Sequence, residues 1–349
     1  MRKLPVEEFH RQIGKAFVEI ADCSVVAYYS SIEEEFSKTR AQPVLIDRSF
    51  AGVTRITGKD AGSLLHRLTT NEMRSLQPGQ GVVNIFTNAK GRIVDVVEML
   101  QRQDDYLLIT SPGRATTLVQ WIEKYTFIED VRGEDVTSSF ALFSIFGKIP
   151  SGFAGLPLGD FPLHHFLETC LNGVDIILHR TGGIAPEGYN ILVGSKSAMP
   201  IWDFLRAHAA PIGFSTYEMI RVHAGIPAAG GEINEEQNPH EISFLPYIDF
   251  EKGCYLGQEV VARLDTYDKV QRQLVGLEFE DERAPALKTP LWADGEEAGK
   301  ITSAVFSPFR KKAIALALLR KKFAQNSLRL IARNDKDSLT CSVVALPFV

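Results

Sequence analysis

The sequence lacks long apolar runs, paired cysteines and low-complexity segments, and each absence excludes a class of protein. No run of about 18 apolar residues occurs in the 349 residues, so we expect no membrane-spanning helix. The four cysteines stand singly, without a Cys-x-x-Cys pair or histidines at zinc-ligand spacing. The sequence therefore predicts neither a disulfide framework nor a metal site, and free thiols fit the reducing cytoplasm.

Common catalytic signatures are missing as well. The chain contains no G-x-x-x-x-G-K-[ST], no G-x-G-x-x-G after a strand, no H-E-x-x-H and no G-x-S-x-G. His164 and His165 are adjacent but have no acidic ligand at a useful spacing, which favours a surface or packing role. The first residues carry Glu7 and Glu8 and lack the apolar core of a secretory signal, so we expect an amphipathic leading helix of a cytoplasmic protein.

The composition is that of a folded protein with more than one domain. Apolar residues make up 45% and charged residues 23% of the chain, and its length exceeds the usual limit of about 250–300 residues for one core. The net charge of −5 is uneven, because fourteen Lys and Arg stand against nine Asp and Glu from Lys269 onward. This basic excess indicates either a nucleic-acid surface or, as we favour, solvated lysines at sheet edges.

Hydrophobic patterning predicts an α+β fold. Short strand patterns alternate with helix patterns from residue 44, and two β-rich runs flank Asn88-Ala89-Lys90-Gly91, which indicates a hairpin. After residue 269, five or six short strand patterns follow one another without a helix, which predicts a small barrel. We therefore expect a helical extension over 1–43, an α+β region over 44–268 and a C-terminal β-barrel over 269–349.

The segment "KGCYLGQE" at 252–259 combines features that favour a reactive thiol. The apolar pattern after Gly257 predicts a short helix, so Cys254 precedes a helix N-terminus, where the dipole favours negative charge. Lys252 adds a cation and Glu259 partly opposes it. The alternative is that Cys254 is a small buried apolar residue beside a turn, because free cysteines are often buried.

The same segment carries a resemblance to a known family. Residues 252–263 match K-G-C-[FY]-x-G-Q-E-x-x-[AS]-R, the signature of YgfZ-type folate-binding proteins, at every position. These proteins are relatives of the glycine-cleavage T-protein, an aminomethyltransferase. Further stretches that resemble the wider superfamily, in its order, are "ITGKDAGSLLHRLTTNEM", "TNAKGRIVD", "IRVHAGIP" and "GKITSAVFSP".

The resemblance implies a fold and a function. The fold would be two interleaved α+β subdomains and a C-terminal barrel, arranged as a three-domain ring around a folate channel. The cofactor would be tetrahydrofolate or a derivative, and the function would be assembly or repair of iron–sulfur clusters, including those of tRNA-modifying enzymes. Direct nucleic-acid binding and a membrane are not implied. The alternative function is folate-dependent aminomethyl transfer, the T-protein reaction.

The resemblance also assigns candidate site residues. Cys254 and Lys252 would be the reactive pair, and the rest of the motif consists of Gly253, Tyr255, Gly257, Gln258, Glu259 and Arg263. The thiol would serve as a transient ligand, a redox partner or a nucleophile. Candidate folate contacts are an acid or amide for the pterin, aromatic walls and a cation: Asp95, Asn88, Tyr189, Tyr247, Arg221 and Glu187.

Three positions depart from the T-protein pattern, each by loss of an acid. Val96 follows Asp95 where the T-protein has two adjacent acids, Pro186 replaces an acid beside Glu187, and His223 stands where relatives carry a glutamate. His223 could bind a ligand or be structural. Asp95 is expected either to hold a pterin or to pair with a buried arginine such as Arg55.

Overall fold

The structure is a computed structural model that describes residues 1–159, 161–267, 269–334 and 338–348. Helices account for a minority of these residues. The predicted domain boundary at 268 lies outside these residues. The α-helices in the described ranges are α1 (Glu7–Ile13), α2 (Ile32–Ala41), α3 (Ala61–Leu68), α4 (Ala115–Lys124), α5 (Ala198–Arg206), α6 (Phe214–His223) and α7 (Gln258–Thr266).

Strands make up most of the regular structure. The first nine are β1 (Ala16–Ile20), β2 (Cys23–Tyr28), β3 (Pro43–Asp47), β4 (Gly52–Thr57), β5 (Gly81–Thr87), β6 (Ile93–Gln101), β7 (Asp105–Thr110), β8 (Arg132–Asp135) and β9 (Phe140–Gly147). The next four are β10 (Phe166–Leu171), β11 (Val174–Thr181), β12 (Gly188–Gly194) and β13 (Ala210–Pro211). The last six are β14 (Arg272–Phe279), β15 (Pro290–Ala293), β16 (Glu296–Ser307), β17 (Lys312–Arg320), β18 (Arg329–Arg333) and β19 (Ser338–Val344).

The strands assemble into four sheets. Strands β1 and β2 form a hairpin, a five-stranded sheet has the order β5-β6-β7-β4-β8, and a six-stranded sheet has the order β10-β11-β12-β9-β3-β13. Strands β14 to β19 close into a six-stranded barrel with the order β14-β17-β16-β15-β18-β19. The predicted α+β class with a C-terminal β-barrel is therefore confirmed.

The chain divides into two compact units by its internal contacts. Unit 1 comprises residues 1–84 and 95–217, and unit 2 comprises residues 85–94 and 218–349. The tip of the β5–β6 hairpin thus belongs to the same unit as the barrel and the cysteine motif. This division differs from the boundaries at 43 and 268, which remain a prediction.

The six-stranded sheet of unit 1 is buried on both faces. Alternate residues of β12 point to opposite faces of this sheet. Ile191 and Val193 pack with Trp202 of α5, whereas Leu192 packs with Leu100 of the five-stranded sheet. Successive side chains of a strand point to opposite faces, so this sheet contributes to two apolar layers. One layer lies under α5, and the other lies between the two sheets of unit 1.

The barrel of unit 2 has its own core. Inward residues alternate along the strands, as with Leu277 and Phe279 on β14 and Ala315, Ala317 and Leu319 on β17. The small alanines suit a six-stranded barrel, whose interior is narrow. The buried core residues all come from the strands, and partly buried Phe323 and Leu328 pack against them.

The N-terminal segment contains more than the predicted helix. Helix α1 ends at Ile13, and the hairpin of β1 and β2 follows before α2. The segment 1–43 therefore contains strands as well as helices, which its description as a helical extension omitted. In the described ranges, no helix combines the length and the apolar character that crossing a membrane requires.

The basic C-terminal region is largely ion-paired. Arg310 and Lys312 both reach Glu278, at 2.6 and 2.8 Å, and Lys322 lies 2.5 Å from Glu296. These pairs neutralise part of the positive excess at the surface. The arrangement fits solvated lysines at strand edges better than a surface for nucleic acid.

Candidate functional site

The tip of the β5–β6 hairpin in unit 2 is organised by Asn88. Its Oδ1 accepts hydrogen bonds from the backbone N–H groups of Lys90, at 2.9 Å, and Arg92, at 3.1 Å. Its backbone carbonyl accepts one from Gly91 at 2.8 Å, and Gly91 has φ of +65°. Asn88, a predicted pterin contact, therefore uses its amide oxygen to fix the turn.

The cysteine loop contacts this tip through backbone atoms. Thr87 donates from Oγ1 to the carbonyl of Leu256 at 2.5 Å. Gly257 has φ of +85°, and a Cβ at that position would lie 2.4 Å from the carbonyl oxygen of Asn88. Glycine is required twice here, for the backbone conformation and for the close approach.

The loop exposes Gly253 and Cys254 and buries Lys252 and Tyr255, which flank them. Cys254 is exposed, so it is not the buried packing residue that we considered as the alternative. Lys252 and Tyr255 are each 7% exposed, and Lys252 Nζ lies 5.4 Å from the Tyr255 ring centroid. Burial raises the pKa of the Tyr255 hydroxyl, so it stays neutral. The backbone N–H of Lys252 is anchored on Asp249 Oδ1 at 3.0 Å.

Helix α7 starts directly after this turn, as predicted. Gly257 is its N-cap, and Val261 is its buried residue. Gln258 is half-buried, and Glu259 and Arg263 are exposed, as is Gly253 in the loop. Cys254 therefore precedes the first helical residue by four positions, on a loop with fixed ends.

Asp95 lies in unit 1 and is almost completely buried. With 1% exposure, its Oδ1 accepts hydrogen bonds from Ser111 Oγ at 2.6 Å and from the Val96 N–H at 2.9 Å. Its Oδ2 accepts one from the Ser111 N–H at 3.3 Å. Burial raises the pKa of Asp95 from 3.8 to about 6, and these bonds only partly oppose it.

The proposed pairing of Asp95 with Arg55 is wrong. Arg55 is an exposed residue of β4 whose guanidinium lies 2.6 Å from Glu134. Side chains on adjacent positions of a strand face opposite ways, and Arg55 lies on the solvent face. Ser111, which follows β7, donates the side-chain hydrogen bond to Asp95. Arg114, rather than Arg55, is the arginine whose charge lowers the pKa of Asp95.

Two other predicted folate contacts, Glu187 and Tyr189, also lie in unit 1. Glu187 is exposed and lies 3.0 Å from Arg180, so it is engaged in a surface ion pair. Tyr189 is half-buried, and its ring centroid lies 5.9 Å from that of Phe161. Neither contact identifies a ligand, and both residues remain predicted folate contacts.

The candidates in unit 2 are held by structural partners. Arg221 is 2% exposed and reaches Glu218 at 2.7 Å, Ser303 Oγ at 2.8 Å and Glu232 at 3.6 Å. Glu218 lies three residues before Arg221 on α6, a spacing that could have predicted the pair. The buried guanidinium is thus neutralised within unit 2.

Aromatic contacts involve the two remaining residues of unit 2. The Tyr247 ring packs edge-on against Phe244 at 5.3 Å. His223, at the end of α6, packs against Phe348 at 6.1 Å. Both packing contacts suit a structural role, and the role in ligand binding stays a prediction for Tyr247.

Comparison with known proteins identifies the family. Residues 6–252 match the GCVT N-terminal domain, and residues 272–349 match the glycine cleavage T-protein C-terminal barrel domain. The chain belongs to the glycine cleavage T-protein family. The match starts at residue 6 and so includes the N-terminal segment that the sequence motifs left out.

Individual relatives support the same assignment. The chain is 26% identical over 359 residues to an aminomethyltransferase of Halalkalibacterium halodurans, covering 100% of this chain and 98% of the relative. It is 30% identical over 291 residues to a putative chloroplastic transferase of Arabidopsis thaliana, covering 82% and 67%.

A solved structure shares the fold over the whole chain. The glycine cleavage system aminomethyltransferase T from Bartonella henselae superposes with a TM-score of 0.89 at 20% identity, covering 100% of this chain and 98% of that one. At this identity the likeness concerns the fold alone.

Gly257 allows a direct test of the backbone contact at the cysteine loop. We expect Gly257→Ala to destabilise the protein by roughly 1–2 kcal/mol for the left-handed conformation and by about 1–3 kcal/mol more for the clash with Asn88. Gly295→Ala is the matched control, because Gly295 has φ of +81° and nothing within 4 Å of its Cβ position. Urea unfolding measures both. Equal losses in the two variants would show that the contact is unimportant.

Asp95 predicts a distinct pH dependence of stability. Because the folded pKa is raised, the native state binds the proton more tightly than the unfolded chain, so ionisation on raising the pH from 4 to 6 destabilises the wild type. A rise from 3.8 to about 6 corresponds to about 3 kcal/mol. Asp95→Asn should lack this loss. Parallel stability curves for both proteins between pH 4 and pH 7 would contradict the prediction.

Proposed function

We propose that this chain binds tetrahydrofolate and carries out one-carbon transfer of the aminomethyltransferase type. The observation that carries the proposal is Asp95, a buried carboxylate whose pKa of about 6 lies close to neutral pH. Relatives that match nearly the full length of the chain are named aminomethyltransferase, which supports the same choice. A cytoplasmic location fits this function and stays part of the proposal.

The acceptor capacity of Asp95 fits the donor groups of a pterin. A carboxylate has about four acceptor positions, and three donors from Ser111 and Val96 use three of them. The remaining capacity, on Oδ2, suits a ring N–H or an amino group. Asp95 is therefore the residue of this chain that we assign to the pterin.

The chemistry of Asp95 follows from its protonation. Tetrahydrofolate, when bound, supplies the nitrogen that accepts the one-carbon unit. A carboxyl group with a pKa near the operating pH can hold a proton at one stage and release it at another. Ser111 keeps Oδ1 oriented, which leaves Oδ2 as the oxygen that exchanges the proton.

Departures from the T-protein pattern limit this proposal to Asp95. Pro186 is buried and cannot replace the lost acid, and Glu187 is turned to the surface pair with Arg180. Val96 donates its backbone N–H to Asp95, but it has no carboxylate that could replace the second acid of the T-protein pattern. The chain thus retains one acid of the hairpin pattern.

Turnover of an aminomethyl donor with tetrahydrofolate tests the proposal. We expect product formation by the wild type and a loss of about 10²–10⁴-fold in kcat for Asp95→Asn, because proton transfer is removed. Asp104→Asn is the matched control, since Asp104 is an exposed acid at the end of the same sheet. Absence of product from the wild type would exclude the proposal.

A second candidate function is favoured by the exposure of Cys254. The transfer chemistry at Asp95 makes no use of this thiol, yet the loop fixes its backbone through Gly257 and Thr87. We propose as the alternative a folate-dependent role in iron–sulfur cluster assembly or repair, including the clusters of tRNA-modifying enzymes. One thiol cannot hold a cluster alone, since ligation ordinarily takes four cysteines, so Cys254 would act transiently on a client.

Two exposed cysteines make a matched pair for the alternative. Cys254 and Cys170 are both exposed, and Cys170 lies outside the motif. In cells that lack the protein, we expect Cys170→Ser to restore the activity of iron–sulfur enzymes and Cys254→Ser to fail, with equal amounts of both proteins. Full restoration by Cys254→Ser would rule out the alternative without affecting the proposal for Asp95.

A further inference from the structure

A polar cluster lies in the layer between the two sheets of unit 1. Its members point from neighbouring strands into this layer: Glu98 on β6, His179 and Thr181 on β11, and Asn190 on β12. They share the faces of Leu100, Ile177 and Leu192, which form the apolar part of the same layer. Buried polar groups are costly unless their hydrogen-bonding capacity is used.

Three metal-ligand side chains meet in this cluster. Each of Glu98, His164 and His179 offers one ligand atom, and these atoms all lie within 4.8 Å of one another. His164 comes from the loop before β10, and its backbone N–H donates to the Arg180 carbonyl at 2.9 Å, which holds it beside β11. Two histidines and a glutamate are a ligand set found in catalytic zinc sites.

Buried atoms of all three residues lack a partner among the residues that the structure describes. These atoms are Glu98 Oε1, His164 Nδ1 and His179 Nε2. Glu98 and His179 have exposures of 1% and 0%, so bulk water does not hydrogen-bond to these side chains. Each residue of the trio therefore has bonding capacity that the described protein atoms do not use.

The other oxygen of Glu98 is already held in place. Oε2 accepts a hydrogen bond from Thr181 Oγ1 at 2.7 Å and lies 3.3 Å from His179 Nδ1. Thr181 orients the carboxylate. Glu98 Oε2 and His179 Nδ1 are already about as far apart as two ligand atoms of one ion, so an ion can take the place of their mutual contact.

We propose that Glu98, His164 and His179 bind a divalent first-row transition-metal ion, with Zn²⁺ as the best-suited probe. Ligand atoms in a tetrahedral zinc site lie about 3.4 Å apart, since zinc–nitrogen bonds are about 2.0–2.1 Å long. The observed spacing of up to 4.8 Å exceeds this value by at most about 1.4 Å (4.8 − 3.4), which side-chain rotation on metal binding has to close. Three protein ligands leave one position of a tetrahedral ion open to water or to an added ligand.

The electrostatics of the cluster agree with this geometry. Burial lowers the pKa of His164 to about 4 and that of His179 to about 3, so both imidazoles are neutral and can donate a lone pair. Burial also raises the pKa of Glu98, and the nearby Arg48 only partly opposes this. A bound cation would favour the ionised carboxylate.

The sequence could not indicate this site. Glu98 and His179 are 81 positions apart on strands of two different sheets, and the two adjacent histidines 164 and 165 have no acid at a useful ligand spacing in the chain. Sheet packing brings them together. The expectation of no metal was based on spacing along the chain, which does not report such contacts.

Metal binding by tag-free, chelator-treated protein tests the proposal. We use a background in which the exposed Cys170 and Cys254 are both serine, so that thiols do not contribute. We expect one Zn²⁺ per chain by elemental analysis after dialysis, and a Co²⁺ visible spectrum of tetrahedral type. Bound Zn²⁺ should also raise the unfolding temperature, because the ion binds the folded chain.

Two variants and one control test whether Glu98 and His164 hold the ion. Glu98→Gln and His164→Ala should each weaken Zn²⁺ binding by more than about 100-fold, since the loss of a ligand exceeds the 10–100-fold effect of a supporting partner. His165→Ala is the matched control and should bind as the wild type does. Circular dichroism in the absence of metal verifies that each variant folds. Zn²⁺ uptake below one-tenth equivalent by the wild type, or equal affinity in His164→Ala and His165→Ala, would overturn the proposal.

Discussion

The close approach of two backbones, at Gly257 and at the carbonyl of Asn88, determines the geometry of the cysteine loop. A side chain at residue 257 would meet that carbonyl at 2.4 Å, so the loop, the hairpin tip and the start of α7 keep their arrangement only with glycine. Asn88 completes the constraint, because its amide oxygen closes the turn on the other side. Cys254 is exposed on this loop, whereas Lys252 and Tyr255 are buried, with Lys252 Nζ 5.4 Å from the Tyr255 ring centroid.

Unit 1 uses a different principle, which is the burial of acids that are only partly satisfied. Asp95 and Glu98 lie three residues apart on β6, so they point to opposite faces, and burial raises the pKa of both. Asp95 meets Ser111, whereas Glu98 meets Thr181 and two histidines. Strand β6 thus places two carboxyl groups in two separate polar environments, one on each face of the sheet. The burial of such acids lowers the stability of the folded state, and functional residues commonly lower it in this way.

Local patterns predicted the elements better than the contacts between them. The helix after Gly257, the hairpin around Asn88 and the strand-only C-terminal barrel were all predictable, because each follows from periodicity or turn residues in a short window. The hairpin of β1 and β2 was missed, because residues 1–43 were assigned to a helical extension. The partners of Asp95 and Arg221 were not predicted either. The contact between Ser111 and Asp95 depends on the pairing of β6 with β7, which a short sequence window does not show. The pair of Glu218 and Arg221, in contrast, could have been predicted from their spacing on one helix.

The closed barrel of unit 2 restricts how another molecule can engage this part of the chain. Each of its six strands pairs with two neighbours, so the barrel has no free edge strand. A binding partner therefore cannot dock by extending the sheet with a strand of its own, as happens on open sheets. Recognition here must rely on loops and outward side chains, which can change during evolution without disturbing the core. The barrel is accordingly a stable platform on which specificity can diverge.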